Sequence, residues 1–219
     1  MDTLLLHARS ILLVLFTTLA APALASQNTI LIMGDSLSAA YGVPSETAWV
    51  QLLHQRLEEN GLSHWQVVNA SISGETTDGG ARRLPELIEK HDPEVVIIEL
   101  GGNDGLRGFP PEVIESNLAS MIRDTRQSGA KALLVGMQIP PNYGPRYTQM
   151  FAQLYPTLSD RYNTGLVPFF LDGIYNHDNL MQEDGIHPTE QAQPMLLDKV
   201  WPVLEPMLEE ARAAAATGS

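Results

Sequence analysis

Short apolar runs alternate with amphipathic segments along most of the chain. The runs have the length of strands and are rich in β-branched residues, which predicts buried strands at TILIM (29–33), WQVVN (65–69), EVVIIEL (94–100), KALLVGM (131–137) and GLVPFF (165–170). The intervening segments have helical periodicity, as in the stripe formed by Trp49, Leu52, Leu53 and Leu57 of a helix from about residue 46. This alternation predicts a three-layer α/β/α sandwich around a central parallel five-stranded sheet.

Prolines indicate where the predicted helices begin or break. Pro111 favours the start of a helix whose apolar stripe includes Val113. Pro156 predicts an interruption in the helix that follows the fourth strand, because proline cannot donate the helical hydrogen bond. Pro194, Pro202 and Pro206 likewise argue against one continuous helix at the carboxyl end.

The first 25 residues are predicted to be a cleaved signal peptide. Arg9 precedes an apolar run at 11–21, and the small-residue pattern Ala-Leu-Ala at 23–25 ends the segment. The run is short for a membrane span, so a membrane anchor is the weaker interpretation. We therefore expect a periplasmic or secreted protein, with residues 26–219 forming a single domain that is not stably inserted in a membrane.

Charge and cysteine content exclude several classes of function. The chain has a formal net charge of −13, and the signal peptide would take one acidic and one basic residue with it. An acidic surface without a basic, aromatic-rich patch predicts no binding to nucleic acid. The absence of cysteine excludes disulfides and thiolate metal sites. We expect a monomer whose stability depends on packing alone.

Candidate catalytic residues lie where predicted strands end and in one late loop. Ser36 follows the first strand, and a helix cap would explain it if it had no partners. A nucleophilic serine needs a histidine that is itself oriented by a carboxylate. Asp184 and His187 in EDGIHP have a spacing that lets one compact turn place the carboxylate beside the imidazole. Ser36, Asp184 and His187 are thus a candidate triad.

Two further turns supply candidate donors for an oxyanion. Gly74 in SISG can bring a backbone N–H close to a substrate, and Asn103 in GGND can offer a side-chain amide. Together with the N–H of Ser36 they would form a three-donor oxyanion hole, each donor worth roughly 3 kcal/mol of the barrier. An ordinary turn glycine and turn asparagine are the alternative interpretations. Asp35 is assigned a structural hydrogen-bonding role.

Four segments, GDSLS, SISG, GGND and DGIHP, resemble in order and spacing the four blocks of the SGNH, or GDSL, hydrolase family. The longer strings ILIMGDSLSAAYG and NASISGETT resemble its bacterial periplasmic branch of acyl-CoA thioesterase, lysophospholipase and arylesterase type. The resemblance covers essentially all of residues 26–219. It implies a flavodoxin-like sheet, no metal, no cofactor, and roles for Ser36, Gly74, Asn103, Asp184 and His187.

The expected function is hydrolysis of esters and thioesters of single acyl chains through an acyl-enzyme on Ser36. Lysophospholipids, aryl and alkyl esters and acyl-CoA are the small-molecule substrates implied. An acyl groove is predicted from apolar residues after the third and fourth strands, namely Leu106, Phe109, Pro110, Met137, Ile139, Pro140 and Tyr143. The glycine-flanked loop at 105–111 is a candidate for movement over the substrate.

Two other functions remain compatible with the sequence. A carbohydrate O-acetyl esterase would use the same fold and the same triad. A non-enzymatic periplasmic module could instead bind a metal or ligand through the acidic, histidine-containing loop, at Asp172, His177, Asp178, Asp184 and His187. The second alternative leaves Ser36, Gly74 and Asn103 without a role.

Overall fold

The computed structural model describes residues 28–217, with side chains described as far as residue 211. The predicted signal peptide and its cleavage site lie outside these residues. Among the described residues, no helix is both long and apolar enough to cross a membrane. One parallel sheet has the strand order β2-β1-β3-β4-β5, formed by β1 (Asn28–Gly34), β2 (Trp65–Asn69), β3 (Val95–Glu99), β4 (Lys131–Val135) and β5 (Gly165–Val167). The predicted sheet is confirmed.

Helices form the two outer layers. They are α1 (Trp49–Glu59), α2 (Thr77–His91), α3 (Gly102–Leu106), α4 (Pro111–Gln127), α5 (Pro145–Tyr162) and α6 (Gln193–Thr217). Helix α1 packs against α6, whereas α4 packs against both α2 and α5. Single 3-10 turns lie at Ser45–Thr47, Pro141–Tyr143 and Glu190–Ala192. The α/β/α sandwich expected from the sequence is therefore the observed architecture.

The expected proline breaks in α5 and α6 are wrong. Helix α5 continues through Pro156, and α6 has Pro194 as its second residue and continues through Pro202 and Pro206. Pro202 and Pro206 are exposed, so carbonyls released from helical hydrogen bonds on that side can be hydrated. Both helices also bury a full apolar stripe against the core, which outweighs the missing bonds.

Three smaller expectations also need correction. Val113 is 46% exposed and lies off the buried face of α4, which Ile114 and Leu118 occupy. Helix α1 begins at Trp49, because an extended Ala48 separates it from the preceding 3-10 turn. The GGND segment, expected to be a turn, is mostly the short helix α3.

The register of the central strands brings their carboxyl ends to one edge of the sheet. Strand β1 lies between β2 and β3, and its last residue Gly34 pairs with Glu99 at the end of β3. Residues 30–33 of β1 and 95–98 of β3 are completely buried. The segments that follow these strands therefore start from a rigid base and emerge side by side.

Candidate active site

Ser36 lies in a tight turn directly after the buried strand β1. The N–H of Ala39 donates to the carbonyl of Asp35 at 2.9 Å, and the N–H of Tyr41 donates to the carbonyl of Ser36 at 3.2 Å. A Cβ at Gly34 would lie 2.8 Å from Glu99 Oε2 and from Ser38 Cβ, so glycine leaves the space that the Glu99 carboxyl group and the following turn occupy. The half-buried Ser36 side chain is thereby held at the rim of the sheet.

His187 and Asp184 lie at the tip of a small hairpin between β5 and α6. Met181 and Pro188 form an antiparallel bridge at its base, and Gly185 turns the chain with φ +65°. His187 Nε2 is 2.9 Å from Ser36 Oγ, and its Nδ1 is 2.6 Å from Asp184 Oδ2. The structure thus brings the three predicted triad residues into one hydrogen-bonded chain.

Asp184 also organises the backbone of its own turn. Its Oδ1 accepts hydrogen bonds from the N–H groups of Ile186 at 2.9 Å and His187 at 3.0 Å. Burial alone would raise the pKa of Asp184, but hydrogen bonds from the ring and backbone of His187 and the backbone of Ile186 lower the pKa to about 2. The carboxylate is therefore ionised and able to orient the imidazole at neutral pH.

Two residues that the sequence did not single out hold the histidine hairpin against the serine turn. The Gln182 side-chain amide donates to the carbonyls of Tyr41 at 2.9 Å and Pro188 at 3.0 Å. The Tyr41 ring lies against the His187 ring, with 4.3 Å between centroids and a 36° tilt. Gln182 and Tyr41 are 141 positions apart, and no local sequence pattern indicates their contact.

The predicted oxyanion donors occupy the same edge of the sheet. The Gly74 segment is fastened to β1 because the N–H of Ile72 donates to the carbonyl of Gly34 at 3.1 Å. Gly74 is exposed with φ +81°, and its carbonyl accepts a hydrogen bond from Arg107 at 3.2 Å. The N–H groups of Ser36 and Gly74 donate to no other described residue. Both are therefore available to a ligand.

Asn103 is carried by α3 and contacts a buried acid. Its Nδ2 donates to Asp35 Oδ2 at 2.9 Å, while Asp35 Oδ1 accepts the N–H of Leu37 at 3.1 Å. Burial raises the pKa of Asp35 to about 6, although the hydrogen bonds from Leu37 and Asn103 oppose the shift. Asp35 therefore links the serine turn to the Asn103 amide.

Two more acids are buried behind these residues. Glu99 is fully buried, and burial, with Asp35 nearby, raises its pKa well above the usual range. Its Oε2 accepts hydrogen bonds from the Ser38 hydroxyl at 2.7 Å and the Asp35 N–H at 3.3 Å. Asp104 accepts the N–H and hydroxyl of Thr77 at 2.9 and 2.6 Å, which ties the start of α2 to α3. The available sequence signal for Glu99 was an acid between apolar residues near the end of the EVVIIEL run.

The predicted groove residues are divided between the core and the surface. Met137 and Ile139 are only 5% and 7% exposed, and they pack beneath α3 against Gly102 and Gly105. They support the helix that carries Asn103, which corrects the expectation that they form an open groove wall. The Tyr143 hydroxyl donates to the Leu106 carbonyl at 2.7 Å. This bond joins the segments after β3 and β4.

The remaining groove candidates are more accessible. Phe109 is half-buried against the core, whereas Pro110 and Pro140 are exposed. A surface cavity of about 430 Å³ lies nearby and includes one predicted groove residue, Tyr143; its lining is Pro111, Tyr143, Gly144, Pro145, Arg146, Tyr147 and Met150. None of the triad residues lines this cavity. Part of the segment at 105–111 belongs to α3, so the sequence expectation of a simple loop there was incomplete.

The alternative metal site is not supported by the positions of its residues. Within the part of the chain that the structure describes, no three His, Asp or Glu side chains are grouped to hold a metal ion. Asp184 instead contacts His187, and His187 contacts Ser36. Asp172 lies 3.6 Å from Lys199, as a surface ion pair.

The sequence is similar to a known protein family and to several named relatives. The sequence profile of the GDSL-like lipase/acylhydrolase family matches residues 32–193. Esterase TesA from Pseudomonas aeruginosa is 52% identical over 184 residues, covering 84% of this chain and 91% of that protein. Thioesterase 1/protease 1/lysophospholipase L1 from Escherichia coli K12 is 43% identical over 202 residues, covering 92% of this chain and 93% of that protein.

A solved structure has the same fold and a related sequence. The psychrotrophic esterase EstA from Pseudoalteromonas, inhibited by monoethylphosphonate, superposes with a TM-score of 0.78 at 43% identity, covering 83% of this chain and 99% of that one. The family match extends from β1 into the start of α6 and includes every residue of the hydrogen-bonded triad. The chain is therefore a member of the GDSL-like lipase/acylhydrolase family and an ester hydrolase.

Proposed function

We propose that the chain hydrolyses esters and thioesters of single acyl chains through a covalent acyl-enzyme on Ser36. One observation carries the proposal: His187 contacts Ser36 Oγ through Nε2 and Asp184 through Nδ1, at 2.9 and 2.6 Å. Serine hydroxyls are weak nucleophiles, and this arrangement supplies the base that accepts the proton and the carboxylate that orients the base.

The reaction proceeds by two acyl transfers. His187 takes the Ser36 hydroxyl proton as Oγ attacks the carbonyl carbon, and the resulting imidazolium then protonates the leaving alcohol or thiol. Water attacks the acyl-enzyme with His187 again as the base, and the proton returns to Ser36 as the carboxylic acid leaves. Asp184 remains ionised throughout, in line with the pKa of about 2.

The developing oxyanion would be bound by the Ser36 and Gly74 N–H groups and the Asn103 amide. The two backbone groups donate to no other described residue, and Asn103 uses Nδ2 toward Asp35, leaving a second N–H on the same nitrogen. Donors fixed before the reaction lower the barrier because they do not have to reorganise when charge develops.

The proposed substrates are lysophospholipids and other single-chain esters. The names of the relatives, esterase and thioesterase 1/protease 1/lysophospholipase L1, support this class. We also propose export to the periplasm or beyond, with residues 26–219 as one monomeric domain. Acyl-CoA is an intracellular metabolite, so thioester cleavage would then be a capability of the site and single-chain esters its main substrates.

Labelling with a fluorophosphonate tests the nucleophile. The probe should modify the chain once, on the peptide that contains Ser36, and a chelator should not change the labelling. S36A should lose both labelling and turnover of nitrophenyl esters while its melting temperature stays near the wild-type value. S45A is the matched control, because Ser45 is exposed and, among the described residues, its hydroxyl bonds only to the neighbouring Glu46. If S36A retains most of the activity, the assignment is wrong.

The acyl-chain profile tests the substrate class separately. We expect activity on nitrophenyl esters to persist or increase beyond the shortest acyl chains, and lysophospholipid to be hydrolysed in parallel. A profile that collapses beyond acetate would favour the carbohydrate O-acetyl esterase instead. That result would leave the nucleophile assignment unchanged.

A further inference from the structure

We propose that Asp35 is a positioning residue that fixes the orientation of the Asn103 amide for oxyanion binding. The inference rests on the proposed role of Asn103 as an oxyanion donor. Asp35 itself is 2% exposed and its carboxylate contacts protein donors. It acts through Asn103 and takes no direct part in the reaction.

An asparagine amide can present either its NH₂ group or its oxygen to a given neighbour. Asp35 Oδ2 accepts one N–H of Asn103 at 2.9 Å, which leaves the second N–H free for a substrate. In the flipped amide, the oxygen of Asn103 would face the carboxylate, and two acceptors would meet in a buried site. An ionised Asp35 therefore selects the orientation that makes Asn103 a donor.

Asp35 can select this orientation of the Asn103 amide only if it is ionised while the neighbouring buried acid, Glu99, is neutral. Both of its oxygens accept N–H groups, from Leu37 and Asn103. Glu99, in contrast, is completely buried, and its Oε1 has no hydrogen-bond partner among the described residues. Negative charge is better stabilised on Asp35, so Glu99 is the neutral acid of the two.

Orientation and charge predict opposite effects of the isosteric substitution D35N. Removing a negative charge close to the oxyanion would accelerate the reaction if charge were the main contribution of Asp35. An asparagine at this position has one acceptor oxygen in place of two, however, and the backbone N–H of Leu37 can only donate to it, so the NH₂ group must face Asn103. The proposal therefore predicts a slower reaction, because Asn103 is no longer held as a donor.

The experiment compares D35N, N103A and the double variant by kcat and KM on a nitrophenyl ester. N103A should lower kcat by about 10²–10³-fold. D35N should lower kcat by about 10–100-fold with KM within about threefold of wild type. The double variant should match N103A within about threefold, because Asp35 acts through Asn103. D160N, the same substitution at an exposed residue of α5, is the matched control and should keep kcat within about threefold.

Several results would overturn the inference. One is a D35N enzyme as fast as wild type or faster, and another is a double variant whose loss equals the product of the single losses. Wild-type protein provides a further test if D35N does not fold. The two Nδ2 protons of Asn103, assigned by comparison with N103A, should differ in NMR shift, with one exchanging slowly; equal, fast exchange contradicts the hydrogen bond to Asp35.

Failure of this inference can be separated from failure of the proposed function. If S36A stays active, the acyl-enzyme mechanism itself is wrong, whatever D35N does. If S36A is inactive and N103A is slow but D35N is unaffected, only the role of Asp35 is rejected.

Discussion

Asp184 contacts His187 and Asp35 contacts Asn103, yet the surroundings of the two acids differ in almost every respect. Asp184 lies at the tip of an exposed hairpin, with 38% of its side chain accessible, and its pKa is lowered to about 2. Asp35 is 2% exposed, directly after β1, and its pKa is raised to about 6. The same residue type is stabilised as an anion in one place and opposed by burial in the other.

The comparison shows two ways of fixing a side chain at one site. The histidine arm, residues 181–188, is organised by local hydrogen bonds within a short turn and needs little support from the core. The oxyanion arm, built around Asp35 and Asn103, is fixed by buried groups of β1, β3 and α3. We therefore expect damage to the first arm to reduce activity with little loss of stability, and damage to the second to affect both.

The largest effect is expected from D184N. The asparagine would place either NH₂ or oxygen toward His187, and the NH₂ orientation forces the wrong tautomer on the imidazole. We expect kcat to fall by roughly 10³–10⁴-fold, with a decrease in melting temperature of only a few degrees. D178N, on an exposed residue of the same loop, is the control and should retain full activity. A modest loss in D184N would mean that Asp184 does not orient the base.

The oxyanion arm should respond differently to loss of one buried hydroxyl. Tyr155 donates to the Leu100 carbonyl at 3.0 Å, directly before the segment that carries Asn103. Y155F leaves that carbonyl unpaired, so urea denaturation should show a loss of about 1–3 kcal/mol in unfolding free energy. Y175F makes the same chemical change at a residue that is 58% exposed, and it should leave the unfolding free energy almost unchanged. Equal stability of the two variants would contradict the buried support of this arm.

The two acids should give stability opposite dependences on pH. Between pH 3.8 and about 6, folded Asp35 is protonated while unfolded Asp35 is ionised, so its contribution to the unfolding free energy falls as pH rises. Between about pH 2 and 3.8, folded Asp184 is ionised while the unfolded residue is protonated, so its contribution rises with pH. Solvent screening reduces the Asp184 effect.

Urea denaturation from pH 2 to 7 measures both slopes. The unfolding free energy of wild type minus that of D35N should decline from pH 4 to 6 and then stay level. The unfolding free energy of wild type minus that of D184N should increase from pH 2 to 4 and then stay level. Slopes of the same sign in the two windows would show that the comparison of the two acids is wrong.

The smallest effect is expected where the two arms meet, at Tyr41. Its ring packs on His187 with 4.3 Å between centroids. Y41A removes a contact of about 0.5–1.5 kcal/mol, so kcat should fall about two- to tenfold. Y41F keeps the ring and should behave like wild type. If Y41F and Y41A are equally impaired, the hydroxyl of Tyr41 matters and the ring contact does not.

The sequence predicts what depends on local pattern and chain order. The five strands followed from apolar runs, and Ser36, Asp184 and His187 followed from short segments whose chemistry is complementary. The contacts of Gln182 and Tyr41 join segments 141 residues apart and have no local signature. The prolines in α5 and α6 led to a wrong prediction of helix breaks for the same reason, because tertiary packing outweighed a local preference.

The lack of a local signal for tertiary contacts also explains why the positions of the groove candidates did not follow from the sequence. Met137 and Ile139 follow an apolar strand, and their sequence does not show whether the side chains face the core or a ligand. In the fold they lie beneath α3, a short helix that the glycine-rich GGND segment did not predict. Asp35 was assigned a structural role from sequence because its partners, Asn103 and Glu99, are known only from the fold.

Rapid mixing with a nitrophenyl ester, followed by acid quench and peptide mass spectrometry, tests the acyl-enzyme directly. We expect a burst of nitrophenolate approaching one equivalent per chain, an acyl group on the peptide that contains Ser36, and neither signal in S36A. A burst that survives in S36A, or an acyl group on another residue, would contradict the account.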